Sequence, residues 1–284
     1  RSWSLVASFW GPHQPFYPSE PYASLVAPRT IPEYPSFRDD YIGKPLRHYF
    51  HRDLKGNRPQ PPWVDWSIWQ EVLARAYGQQ IQLDAAIGQL LEVLEETGEA
   101  ENTLVLWVSD HGDAVASHGG LWDKASTYIE EVARVMLAVR WPACVEGGRA
   151  AAQLVSNMDV TATMLDAAGI PVPDGMHSRS LLGLCRDGED PNRADEIICE
   201  HHGHGDNITQ RIILSGRWKY VAAHLDMDEL YDLEADPHEF TNLIESREHA
   251  GVRAMLRAKL IEHIETTGDK PARRRLLYEL SKGL

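Results

Sequence analysis

The chain has 284 residues, enough for one large domain or a large domain with a small companion, and 43% of them are hydrophobic, which excludes wholesale disorder. Its 28 basic and 42 acidic residues leave a formal charge of −14. That excess argues against a nucleic-acid backbone or an anionic membrane as the main partner, though not against a small anionic substrate, because one bound cation and a few local Lys or Arg can reverse the field inside a cleft.

The chain opens at Arg1 and runs straight into apolar text, which reads as an internal start. Leu5 to Trp10 reads as a buried strand stopped by Gly11-Pro12. Pro12 to Pro62 is rich in Pro, Tyr, Arg and His and reads as a long loop region with short helices, its aromatic content favouring function over disorder. From Trp66 to Thr97, Leu73, Tyr77, Ile81, Ile87, Leu91 and Leu94 recur near one face at helical spacing, and Gly98 closes the helix. Thr103 to Ser109 is apolar throughout without alternation, the pattern of a strand buried on both faces inside a parallel sheet. Arg134 to Trp141 is a second such strand. A helix follows from Met158 to Ala168, capped by Ser156 or Asn157 and stopped by Gly169. Ile197 to Glu200 is a short strand, and Arg211–Ser215 and Trp218–Ala222 flank Gly216-Arg217 as a hairpin. Glu229 to Leu233 adds a further strand, and a last helix from Arg247 to Thr266 turns Val252, Leu256, Leu260 and Ile264 inward. The order predicts an α/β fold: a mostly parallel central sheet flanked by helices over residues 1–190, then a small antiparallel α+β subdomain over 191–284. The basic tail from Arg273 to Arg275 either packs on a neighbouring subunit in a homo-oligomer or is a solvated end.

Cys144, Cys185 and Cys199 form no Cys-x-x-Cys pair and are too sparse for a disulfide framework, so they read as free and mostly buried thiols, leaning towards a reducing, cytoplasmic compartment. No apolar run is long enough to span a bilayer.

Chemistry concentrates after the Thr103–Ser109 strand. Ser109-Asp110-His111-Gly112-Asp113 sits where open sheets bind ligands, beyond the carboxyl end of a strand, with Gly112 allowing a sharp turn. A carboxylate beside an imidazole is a plausible pair of ligands for a divalent cation; the plainer alternative is a turn that caps the strand. Lys124 could neutralise an anion held there, or be an ordinary surface lysine. His118 could be a ligand, a proton donor or a loop residue. His13, in Gly11-Pro12-His13-Gln14-Pro15-Phe16, also follows a strand and could face the same crevice.

The run from Asn102 to Asp113, then His118-Gly119, Lys124, Glu131 and Arg134, resembles the second signature region of sulfatases, in the alkaline phosphatase superfamily. Pro12-His13-Gln14-Pro15 resembles that family's Pro-His-x-Pro segment. Arg217-Trp218-Lys219-Tyr220, Glu229 to Glu239 and Asn242-Leu243 are similar to its C-terminal subdomain, and Gly175 to Leu182 resembles the segment before it. The resemblance implies metal-dependent hydrolysis of small anionic sulfate esters, with Asp110 and His111 as ligands of a divalent ion. His111, in place of the Asn of many arylsulfatases, resembles choline-sulfatases and phosphonate monoester hydrolases and shifts the preference from calcium towards manganese or zinc. His13 and Lys124 would contact the sulfate and the ester oxygen, with His13 able to protonate the departing oxygen. His201, in Glu200-His201-His202-Gly203-His204, is a looser candidate for substrate contact, or part of a polar loop. None of the three cysteines stands in the family's Cys-x-Pro-x-Arg motif, whose Cys or Ser becomes formylglycine. The expectation is therefore a chain that lacks the nucleophile segment. Two other readings stay open, a phosphodiesterase or phosphonate monoester hydrolase and an inactive remnant or binding module.

Overall fold

The computed structural model describes residues 2–53, 65–124, 127–203 and 208–282. After a short helix α1 (Tyr22–Leu25) and helix α2 (Leu46–Asp53), the long helix α3 (Trp66–Glu96) matches its apolar spacing almost to the residue. Gly98 takes φ 72° just beyond its end, the left-handed conformation a non-glycine residue reaches only at a cost. Strand β1 (Val105–Val108) leads to the one-turn helices α4 (Ser117–Gly120) and α5 (Glu130–Ala133), then strand β2 (Leu137–Arg140). Helices α6 (Met158–Ala167) and α7 (Leu182–Asp187) follow.

The β1–β2 pair is antiparallel, with Leu106 opposite Val139. Among the described residues no parallel ladder occurs, which departs from the parallel sheet read from the sequence. The physical reason is that an unbroken apolar run encodes two covered faces, not a strand direction. Here Trp107 and Val108 remain 36% and 37% exposed. Leu5 to Trp10 likewise forms no strand, and Leu5, Val6 and Trp10 stand exposed.

The second sheet matches its sequence reading closely. Strands β3 (Glu196–His201), β4 (Gln210–Ser215), β5 (Trp218–Ala223) and β6 (Glu229–Asp232) form an antiparallel meander in chain order. Helix α8 (Ala250–Thr267) lays Leu256, Leu260 and Ile264 on Ile213, Tyr220 and Leu230, all wholly buried. Burying each such side chain contributes about 1.5–3 kcal/mol. Helices α9 (Lys270–Arg275) and α10 (Leu277–Ser281) then fold back, adding Leu276 and Leu280 to the same core. The basic tail is thus anchored on its own chain, with the Arg275 guanidinium donating to Thr209 Oγ1 at 2.8 Å. Two apolar side chains four residues apart outweigh the charge of the Arg run. Cys144 is exposed in the turn after β2, and Cys185 and Cys199 are half-buried.

The second sheet is tied to the front of the molecule by buried ion pairs. Lys219 on β5 holds Glu130 and Glu239 at 3.1 and 2.8 Å. His48 on α2 meets Glu229 on β6 at 2.9 Å. Burial would raise the Glu229 carboxyl, but His48, the Tyr231 hydroxyl and Arg47 together outweigh it and bring the group down to about 2. No helix among the described residues is long and apolar enough to cross a membrane.

Candidate active site

The turn after β1 is fixed from three sides. Ser109 N–H donates to Met136 O at 3.3 Å, Gly112 N–H donates to Val132 O at 2.9 Å, and the Asn157 amide donates to Asp110 O at 3.0 Å. Gly112 lies so close to α5 that a Cβ there would stand 2.0 Å from the Glu131 carbonyl oxygen. The glycine is needed for space, since it is not among the residues of positive φ.

Asp110 and His111 face one another at the tip. Asp110 Oδ1 accepts from its neighbour's backbone N–H at 2.9 Å, and Oδ2 lies 3.5 Å from His111 Nε2. The Asp110 side chain is 85% exposed. His111 Nδ1 is 2.7 Å from Gly112 O, so it carries the proton and donates to that carbonyl. Nε2 is left with its lone pair outward, beside a free carboxylate oxygen. Two ligand atoms on one divalent ion with bonds of about 2.0–2.4 Å stand roughly 3–3.5 Å apart, so this donor pair fits a metal.

His13 and Lys124, 111 residues apart, meet: Lys124 Nζ is 3.0 Å from His13 Nε2. His13 Nδ1 sits 2.6 Å from Gln14 O and donates to it, which leaves Nε2 to accept from the ammonium. Gln79 on α3 positions this loop by donating to His13 O and accepting from Tyr17 N–H, each at 3.2 Å. Lys124 is also held by Asp123 Oδ1 at 3.3 Å.

Asp113, two residues beyond His111, is half-buried, and burial pushes its carboxyl up to about 6 although the Val115 N–H that it accepts at 3.1 Å works the other way.

His118 lies beneath, wholly buried, with φ 44°. Its Nδ1 meets Asp39 Oδ2 at 2.7 Å and its Nε2 meets Glu131 Oε2 at 3.1 Å. Lys44 pairs with the same Asp39 carboxylate, and the Tyr41 hydroxyl donates to the His118 carbonyl. Burial opposes charge on His118, but the hydrogen bonds to Asp39 and Glu131 outweigh it and hold the imidazole above its ordinary value. Burial likewise works against both carboxyls, yet His118 and Lys44 hold Asp39 low, and His118 holds Glu131 low. The result is a closed quartet of two positive and two negative groups. Donor atoms of His118, Glu131 and Glu239 lie within 4.8 Å of one another and could in principle hold an ion. That ion would have to displace the His118 proton and compete with Lys44 and Lys219, so the cluster is better suited to fixing the loop. Asp39 and Lys44 escape a sequence reading because they sit in loop text without periodicity, although two opposite charges five residues apart in an aromatic-rich loop are a signal of a kind.

His201 ends β3 opposite Gln210 and lines neither of the two cavities near His13. His204 lies outside the described residues.

The comparisons with known proteins bear on this geometry. A family model described as "Sulfatase" matches residues 1–170. The chain belongs to the sulfatase family. A second model, "N-sulphoglucosamine sulphohydrolase, C-terminal", matches residues 117–266 of this sulfatase-family chain. It is similar to a choline-sulfatase of Rhizobium meliloti (strain 1021), 32% identical over 259 residues, which cover 87% of this chain and 47% of that protein. It is also similar to an arylsulfatase of Clostridium perfringens (strain 13 / Type A), 29% identical over 92% of this chain and 53% of the relative. The chain thus spans about half the length of these relatives. Among solved structures, the phosphonate monoester hydrolase of Agrobacterium radiobacter superposes with a TM-score of 0.78 at 23% identity, over 89% of this chain and 55% of that one. A protein solved in complex with its substrate D-glucosamine-2-N,6-O-disulfate superposes at 0.75 with 21% identity, over 92% and 64%. At such identities the likeness shows the fold, which is alkaline phosphatase-like.

Proposed function

We propose that this chain forms the metal-facing and leaving-group-facing part of a sulfate ester hydrolase. The observation that carries the reading is the meeting of His13 with Lys124, brought together from 111 residues apart, together with the facing pair of Asp110 Oδ2 and His111 Nε2 after β1. Asp110 and His111 would hold a divalent ion, which when bound supplies positive charge to a tetrahedral oxyanion. The imidazole in that donor set supports manganese or zinc over calcium, which favours oxygen ligands.

Lys124 would bind the anion and face the ester oxygen as it gains charge. His13 acts through its fixed tautomer. With Nδ1 committed to a carbonyl and Nε2 accepting from Lys124, it aims the ammonium. The arrangement supports Lys124, rather than His13, as the group that brings a proton to the departing oxygen. Gln79 and Asp123 hold that pair in place. No role for His201 follows from its position.

The nucleophile, expected as a formylglycine, would belong to the part of the whole protein that the relatives have and this chain does not span.

A second reading, hydrolysis of phosphodiesters or phosphonate monoesters, is favoured by His111 and by the superposition on a phosphonate monoester hydrolase. Turnover by the full-length protein of matched sulfate, phosphodiester and phosphonate esters of one phenol separates the two. Sulfate ester hydrolysis is abandoned if the phosphorus esters alone react. Elemental analysis of Asp110→Ala tests the metal ligands: bound metal should fall at least tenfold, and unchanged metal would remove Asp110 from the site.

A further inference from the structure

Beside His13 lies a cavity of about 330 Å³ whose walls include His13, Phe16, Tyr17, Val72, Arg75 and Trp122. Its position follows from helix α3. Val72, Arg75, Gln79 and Gln82 fall on one stripe at spacings of three and four residues, facing the loop that carries His13. The two C-terminal members of the stripe are spent on that loop's backbone, Gln79 on His13 and Tyr17 and Gln82 on Ser19 N–H at 3.0 Å. Arg75, one turn back, forms no hydrogen bond or ion pair among the described residues. Phe16 and Trp122 close the other side edge to face, with ring centroids 5.8 Å apart.

We propose that this cavity receives the leaving group, and that the leaving group is a single ring bearing a second anion, which Arg75 binds. The inference rests on the sulfate-ester reading above. One wall is His13, whose partner Lys124 faces the ester oxygen, so whatever occupies the cavity is attached through that oxygen. The volume stands at the small end of ligand pockets, which run roughly 300–1,000 Å³, and fits a single substituted ring rather than a polymer. The aromatic side chains offer ring faces and edges for stacking. Arg75 is the single lining side chain of fixed charge, and a guanidinium forks onto a carboxylate or sulfate with two parallel hydrogen bonds. A quaternary ammonium would find aromatic faces there but would be repelled by Arg75. The chain therefore differs in leaving-group preference from what the name of its choline-sulfatase relative implies for that protein. Two sources supply the required chemistry, an acidic phenol and a doubly sulfated amino sugar.

The test uses the full-length protein with 4-(sulfooxy)benzoate, phenyl sulfate, glucosamine 2-N,6-O-disulfate, glucosamine 6-sulfate and choline sulfate. The member of each pair that carries the second anion should exceed the member without it in kcat/KM by about 30-fold, as a charge-assisted hydrogen bond allows, and the pair with the larger ratio names the source. Choline sulfate should be the poorest substrate. Arg75→Gln should erase the ratio while leaving phenyl sulfate within about threefold, and Arg75→Lys should restore part of it. A readout free of turnover is tryptophan fluorescence titrated with 4-hydroxybenzoate and phenol, where Arg75→Gln should weaken the acid about tenfold and spare phenol. Equal loss on both members of a pair, no binding preference for the acid, or choline sulfate as the best substrate overturns the proposal. Absence of turnover on every sulfate ester overturns the sulfate-ester reading, with the fluorescence comparison still deciding whether Arg75 selects an anion.

Discussion

Gly112→Ala tests how the turn is held. The added Cβ would sit 2.0 Å from the Glu131 carbonyl oxygen, 3.0 Å from its carbon and 3.3 Å from Val132 Cα. A carbon and an oxygen need about 3.2 Å, so the turn and α5 must part by roughly 1 Å, with backbone as the obstacle on both sides. Overpacking of this kind costs about 1–3 kcal/mol, and the Gly112–Val132 hydrogen bond that runs along the same contact adds about 0.5–1.5 kcal/mol if lost. The expected destabilisation is about 2–4 kcal/mol, read by urea unfolding of the full-length protein. The same displacement moves Asp110 and His111, and a shift of about 1 Å in a positioned group lowers turnover roughly 100-fold. Gly251→Ala is the control, because nothing lies within 4 Å of its Cβ position in α8. It should be neutral or stabilising by up to about 1 kcal/mol. A Gly112→Ala protein within about 0.5 kcal/mol of the parent, with full metal content, would refute the claim that the close approach to α5 sets the site.

Further outcomes follow from the same geometry. Lys124→Ala should lower kcat about 100- to 1,000-fold while bound metal, measured by elemental analysis, stays constant. His118→Gln should cost about 1–3 kcal/mol in unfolding experiments, since it takes the cation from half-buried Glu131 and leaves buried Asp39 to Lys44 alone. The quartet also shapes stability against pH. His118 lies above its ordinary 6.5, so its contribution is full below that value and fades as pH rises through the folded one. Asp39 and Glu131 lie below their ordinary 3.8 and 4.5, so their contributions are full above those values and fade as pH falls through the folded ones. Unfolding free energy should therefore peak between about pH 5 and 6.5, and His118→Gln should flatten the decline on the alkaline side. Removing metal with a chelator should abolish turnover and leave the second sheet, with its own core, at unchanged helix and strand content by circular dichroism.

Local periodicity determined much of this protein from the sequence. The α3 stripe, the Gly98 stop, the β4–β5 hairpin and the inward face of α8 each depend on residues within one or two turns of each other, so their spacing carries the answer. The order of motifs likewise singled out Asp110, His111, His13 and Lys124 as candidates. Tertiary structure decided what spacing cannot encode. Strand direction in the β1–β2 pair depends on a partner, and an apolar run is silent about it. Gly112 is required by the approach of α5, not by a turn of its own. His118 became the centre of an ion-pair quartet only because a loop some eighty residues earlier delivers Asp39 and Lys44. The tautomer of His13 is set by one carbonyl and one ammonium that meet it only in the folded chain.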